Sequence, residues 1–201
     1  IGAFLFHAYG AYAVLLREEF GWSKTMLSAA FSMARAESGI LGPIQGWLTD
    51  RFGPRALIRV GMVIFGLGLL LFSRIEGPVA FFLTFFMMAV GTSLGGYLPI
   101  SVAIVTWFRR RRSLALSISG MGMALGGLLT PIVVTSLSHF GWRWTAFASG
   151  IVVLVIAPPL AQLMRHPPER YGLTPDGEPR QADDVAARPV ETRSYTAREA
   201  M

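Results

Sequence analysis

Apolar and polar positions fall into long blocks along this chain instead of alternating. Pro78 to Trp107 runs thirty positions without a charge, Ser113 to Ser138 twenty-six, and Trp144 to Met164 twenty-one. Each block exceeds the roughly 20 residues that a helix rising ~1.5 Å per residue needs to cross a ~30 Å hydrocarbon layer. Ala56 to Ser73 and Lys24 to Leu48 are of similar length, the first carrying Arg59 and the second Arg35 and Glu37. Ile1 to Leu16 is apolar apart from His7 and reaches about 24 Å as a helix. It has no basic start and no small-residue cleavage site, so it is expected to be the remaining part of a first crossing and not a signal peptide. The pattern predicts an all-α integral membrane bundle of six transmembrane helices, the first truncated, over residues 1–165. Residues 166–201, rich in Pro, Arg, Asp and Glu, are expected to form a cytoplasmic linker or tail.

Composition agrees with the blocks. With 53% of the 201 residues apolar and 15% charged, a water-soluble domain would have too little polar surface to cover itself. The absence of cysteine excludes disulfides, thiolate metal sites and cysteine nucleophiles.

The net charge of +6 is distributed by side. If the first crossing runs outward, the inner connections hold Arg51, Arg55, Arg59, Arg109 to Arg112, Arg165 and Arg170, and the outer ones only Arg17, Lys24, Arg74 and Arg143. Nine against four satisfies the positive-inside rule and places the tail in the cytoplasm of a plasma or inner membrane. The basic run "FRRRRS" is a short connection suited to lipid headgroups, and no nucleic-acid partner is expected.

Between the second and third blocks lies "GWLTDRFGPR". It closely resembles the signature G-x-x-x-D-R/K-x-G-R/K-R/K of the major facilitator superfamily, matched by Gly46, Asp50, Arg51, Gly53 and Arg55, with Pro54 replacing one basic position. The resemblance implies half of a twelve-helix fold, built as two inverted three-helix repeats, with the C-terminal six helices as its missing partner. It also implies that these five residues act as a conformational latch between the halves. An internal check supports the repeats: "RFGPR" at Arg51 finds "HFGWR" at His139, an offset of 88 that also carries Gly21 to Arg109.

Other stretches are similar to the monocarboxylate and oxalate:formate branch of that superfamily. Trp107, Phe108, Arg111, Arg112 and Ala115 match its entry to helix five, and Gly141, Trp142 and Arg143 its turn before helix six. The start of the tail, "HPPERYGLTPDGEP", resembles the branch's central loop. What this implies is a secondary transporter of a small organic anion, driven by protons or a counter-anion through alternating access. Efflux of drug-like solutes, and a non-transporting sensor on the same fold, remain the alternatives.

Deep charges are the first candidates for such chemistry because they are costly in hydrocarbon. Arg35 lies about 18 Å from Ser23 and about 22 Å from Asp50 along a helix; its guanidinium suits a substrate carboxylate, gripped with two parallel hydrogen bonds, or equally a structural ion pair or backbone carbonyl on another helix. Glu37, about 200° around the helix from it, is expected among Ala30, Met33, Ala34, Ile40, Leu41, Ile44 and Leu48, where a carboxyl suits either a structural hydrogen bond to a neighbouring helix or a proton carrier. Arg35 shares its face with Ser28, Ser32, Ser38, Gly39, Gly42 and Gly46. By the resemblance, His7, Tyr9, Tyr12 and Tyr97 are further candidates to line a substrate site. Gly120, Gly122, Gly126 and Gly127 suit close helix crossing. No metal-ligand cluster, nucleophile-base pair or phosphate-cradling loop occurs, so neither a catalytic residue nor a cofactor nor an enzyme is expected.

Overall fold

The computed structural model describes residues 8–108 and 110–163. His7, Arg109 and the tail lie outside the described residues. The helices are α1 (Tyr9–Phe20), α2 (Lys24–Phe52), α3 (Pro54–Phe72), α4 (Pro78–Gly95), α5 (Tyr97–Trp107), α6 (Arg112–Leu128) and α7 (Thr130–Leu163). There is no strand among the described residues. Among the described residues three helical runs are long and apolar enough to cross a membrane: Pro54–Phe72, Pro78–Trp107 and Arg112–Gln162. The last, 51 residues, is more than twice the length of one crossing. It is interrupted at Gly141, whose φ of 78° and ψ of 165° are non-helical.

Local chemistry explains most boundaries. Gly21 ends α1 in the left-handed region at φ 66°, and the Ser23 side chain then caps α2 by accepting the Met26 N–H at 3.1 Å. Helix α2 runs past Leu48 to Phe52, so Asp50 and Arg51 belong to its last turn and Gly53 alone separates it from α3. A one-residue break suffices because Gly53 adopts φ 80° and Pro54, at the first position of α3, has no N–H that needs an acceptor. Within α2, Pro43 removes the hydrogen bond that would reach the Gly39 carbonyl. The long block from Pro78 breaks at Gly96, with φ −90° and ψ −146°, into α4 and α5.

Helix α3 is the central member, packed on α4 and α7 through glycines. A Cβ on Gly61 would come within 2.7 Å of the Gly91 carbonyl oxygen, and one on Gly91 within 2.8 Å of the Gly61 oxygen. Gly66 and Gly150 face each other in the same way across α3 and α7, with corresponding distances of 3.3 and 3.1 Å. Small residues let backbones meet where lipid offers no hydrophobic drive. The close crossing expected at Gly120, Gly122 and Gly127 is not here: nothing lies within 4 Å of a Cβ on any of them. Around the glycine contacts sits an aromatic core of Phe65, Phe72, Phe81, Phe85 and Trp142, while Leu83, Ile118, Leu128, Ile132 and Val155 stand exposed around the bundle, as a hydrocarbon solvent allows.

The offset of 88 is visible in the backbone. Gly53 (φ 80°, ψ 153°) and Gly141 (φ 78°, ψ 165°) adopt one conformation, and Leu57 and Ile58 match Thr145 and Ala146 as buried positions after them. The two turns occupy opposite ends of the bundle. Arg143 donates to the Ser73 carbonyl at 3.3 Å, beyond the far end of α3, whose 19 residues put it about 28 Å from Gly53. At that end Arg143 also pairs with Glu19 at 3.1 Å, lies 4.6 Å above the Trp142 ring, and is joined by the Trp142 indole N–H donating to the same carboxylate. The indole hydrogen bond first, and then Arg143, hold the Glu19 carboxyl below its usual range.

Candidate functional site

A cavity of about 470 Å³ opens between α2, α4, α5 and α6. Its polar lining is Arg35, Ser38 and Gln45 from α2, Thr92 and Ser93 from α4, Tyr97 at the start of α5, and Ser119 from α6. Ala34, Met62, Ala89, Leu98 and Ile100 complete an apolar wall. Two of the residues singled out from sequence, Arg35 and Tyr97, are thus brought together although 62 positions apart (97 − 35).

The Arg35 guanidinium stands 5.3 Å from the centre of the Phe31 ring, and Phe31 in turn stacks on Tyr9 at 5.6 Å. Cation–π attraction at this distance steadies the guanidinium, although Arg35 itself is exposed. Tyr9 therefore stands behind the Arg35 platform; it does not line this cavity, and its hydroxyl donates to the Leu27 carbonyl at 2.6 Å. Tyr12 is buried, its ring edge-on to Phe72 at 5.8 Å. His7 lies outside the described residues.

Glu37 is only 5% exposed. Its neighbours differ from the apolar set expected: Ile40 and Ile44 are exposed, and the buried face of α2 runs Ala30, Ala34, Glu37, Gln45 and Thr49 toward α4. Glu37 Oε2 accepts from the Ser93 hydroxyl at 3.0 Å and the Ser38 hydroxyl at 3.2 Å, and the two hydroxyl oxygens are 3.4 Å apart. Oε1 is buried with no hydrogen-bond partner among the described residues. At the break the Ser93 carbonyl accepts the Gly96 N–H at a long 3.5 Å, and the Gln45 side-chain amide adds a second donor across the α2–α4 contact.

Ser93, Gln45 and Thr92 were not anticipated. The signal available was that Ser, Thr and Gln inside an apolar block turn toward other helices, where their hydrogen bonds can be met. Nothing in the local pattern says which helix.

At the Gly53 end, Asp50 is exposed, and the Arg51 guanidinium lies 5.5 Å from the Trp47 ring and 5.9 Å from that of Phe52. Nothing lies within 4 Å of a Cβ on Gly46. The Nε atoms of Arg55 and Arg59 are buried without a hydrogen-bond partner among the described residues. A second cavity, about 620 Å³, lies among the start of α1, α3, α6 and α7; its lining, including Phe65, Leu69, Val133 and Trp144, is mostly apolar, with Thr130, Ser136, Thr145 and Ser149 as its hydroxyls.

The sequence model of the Major Facilitator Superfamily matches residues 1–198. A protein described as "MFS-type transporter" from Gibberella moniliformis is 34% identical over 119 residues, 57% of this chain and 28% of that protein. The "Fujikurins efflux protein" of Gibberella fujikuroi is 33% identical over 118 residues, 57% of this chain and 25% of that protein. "Monocarboxylate transporter 14" of Mus musculus is 28% identical over 172 residues, 85% of this chain and 34% of that protein. The chain therefore spans about a quarter to a third of the length of these relatives.

Proposed function

Since the chain belongs to the major facilitator superfamily, a family of transporters and not of enzymes, we propose that it carries the first six crossings of a secondary transporter for a small organic anion. Transport is by alternating access against a second six-helix half, with a proton or counter-anion as the coupled species. On this reading α4 with α5 forms the fourth crossing, α6 with the start of α7 the fifth, and the remainder of α7 the sixth. The turn at Gly53 faces the cytoplasm of a plasma or inner membrane, and residues 166–201 are the cytoplasmic linker.

The observation that carries the reading is a single cavity that joins a cation, Arg35, to a buried acid, Glu37, through two hydroxyls. An anion held by the guanidinium would share the cavity with the two hydroxyls that bond a group able to take up one proton. The name of monocarboxylate transporter 14 points to the same substrate class. The test is uptake of radiolabelled lactate, formate and oxalate by vesicles holding the full-length protein, with and without an inward proton gradient. Glu37→Gln is expected to abolish gradient-driven uptake and preserve anion exchange, because the amide mimics a neutral carboxyl that releases no proton. Unchanged dependence on the gradient would leave Glu37 a structural residue.

The second reading is efflux of an apolar or amphipathic solute. It rests on the 620 Å³ apolar cavity and on a relative named for efflux. Expulsion of a lipophilic dye that lactate does not inhibit would favour it over the first.

A further inference from the structure

We propose that the hydroxyls of Ser38 and Ser93 couple proton to anion by reversing the direction of their hydrogen bonds, so that the cavity gains a donor when Glu37 is neutral and loses it when Glu37 is charged. This rests on the reading of the cavity as a proton-coupled anion site.

The geometry is specific. Glu37 does not line the cavity, whereas Ser38 and Ser93 both do and both touch the same carboxylate oxygen, at 3.2 and 3.0 Å. Each hydroxyl has one hydrogen and two lone pairs. With Glu37 ionised, the Ser93 hydrogen is committed to Oε2, so Ser93 turns lone pairs toward the cavity, where they repel an anion. With Glu37 neutral, the carboxyl hydrogen needs an acceptor, and the bonded one is the Ser93 oxygen. The Ser93 hydrogen is then released to the cavity beside Arg35.

Protonation can follow the same route. A proton from cavity water bonds to Ser93 Oγ as the hydrogen already on that oxygen passes to Glu37 Oε2. The hydroxyl ends with one hydrogen, now aimed into the cavity, and the carboxylate has gained one. Ser38 is the lesser member because its one hydrogen is shared between Glu37 Oε2 and a second acceptor, the Ala34 carbonyl at 3.1 Å, so less of it is released to the cavity when Glu37 is neutral. Other charged or titratable groups on α2 and the helices packed on it are few near the site. Arg35 and Tyr97 line the cavity, Arg55 and Arg59 are on α3, Arg112 begins α6, and α4 has none.

Proton and anion then bind with mutual enhancement, a reciprocity that linkage requires. The test uses the full-length protein in vesicles with radiolabelled lactate as probe. For wild type the lactate KM should rise toward about tenfold per pH unit on the alkaline side of the Glu37 titration. Ser93→Ala should flatten that dependence to about twofold or less, Ser38→Ala should reduce it less, and Ser93→Thr, which keeps a hydroxyl, should retain it. Infrared difference spectra provide a readout a packing role would not move. The C=O band of the neutral Glu37 carboxyl, identified by its loss in Glu37→Gln, should shift when lactate is added to wild type and stay still in Ser93→Ala. Should Ser93→Ala fail to reach the membrane, Ser93→Cys, nearly isosteric with a weak donor, should show the same flattening. Lactate uptake that follows Glu37 but keeps its pH dependence and band shift in Ser93→Ala and Ser93→Cys overturns the relay alone. A wild-type protein indifferent to lactate, formate and oxalate at every pH overturns the anion reading beneath it.

Discussion

Arg35 gains its fixed position from a short stack: guanidinium on Phe31, Phe31 on Tyr9, Tyr9 anchored to the Leu27 carbonyl. A planar fork held this way presents two parallel donors, which a flexible ammonium does not reproduce. Arg35→Lys in the full-length protein should weaken lactate binding by tenfold or more, about 1.4 kcal/mol, whereas Phe31→Leu should cost less because the charge survives. Equilibrium binding with a folded control checks both, and wild-type affinity in Arg35→Lys would remove that residue from the site. Arg35 and Glu37 stand out in the sequence as charges within an apolar block, whereas Tyr97 was a candidate only by the family resemblance. Ser93 and Gln45 were not legible. A serine costs a helix in lipid little, so its presence carries weak information, and its partner Glu37 lies 56 positions away, on a helix that only tertiary packing selects.

Helices were legible as blocks, and their contacts were not. Thirty apolar positions announce a crossing, but the same apolarity hides which face meets a neighbour, so the glycines expected to pack, Gly120, Gly122 and Gly127, face open space. Gly91→Leu should therefore destabilise the α3–α4 pair by about 1–3 kcal/mol through clash with the Gly61 carbonyl and the Phe65 backbone. Gly120→Ala, which meets no atom within 4 Å, should be neutral or gain up to about 1 kcal/mol from helix propensity. Thermal unfolding in detergent separates the two. The tie between Glu19 and Arg143 is a second contact between elements, spanning the ends of α1, α3 and the Gly141 turn. It is 43% exposed at Glu19, so Glu19→Gln should cost at most about 1 kcal/mol. Because the folded carboxyl titrates below its ordinary value, the contribution is complete above that ordinary value and is lost as pH falls through the folded one. Unfolding scans of wild type and Glu19→Gln should accordingly differ at neutral pH and converge in acid.

For the whole molecule, the Gly53 end is left with exposed Asp50 and with the Nε atoms of Arg55 and Arg59 unbonded among the described residues, beside a Gly46 whose Cβ would meet no atom within 4 Å among them. If that end latches on a second half, the carboxylate's place is at the positive end of a helix there, worth about 0.3–1 kcal/mol and up to ~2 when partly buried. Such a sum hardly affects folding, yet about 1.4 kcal/mol moves a two-state balance tenfold. Asp50→Asn should favour inward-open forms by several-fold without loss of membrane insertion, as read by spectroscopic distances between the halves; an unaltered balance would refute the latch. The opposite end needs no such partner, since Glu19 already occupies Arg143. Gly53 and Gly141 nonetheless share one backbone joint. A three-helix unit that closes with the same joint at either end has no direction of insertion written into its turn. On the proposed topology direction would be written beside it, in the greater number of arginines at the Gly53 end, so relocating arginines, with the joint untouched, is expected to turn such a unit upside down in the bilayer.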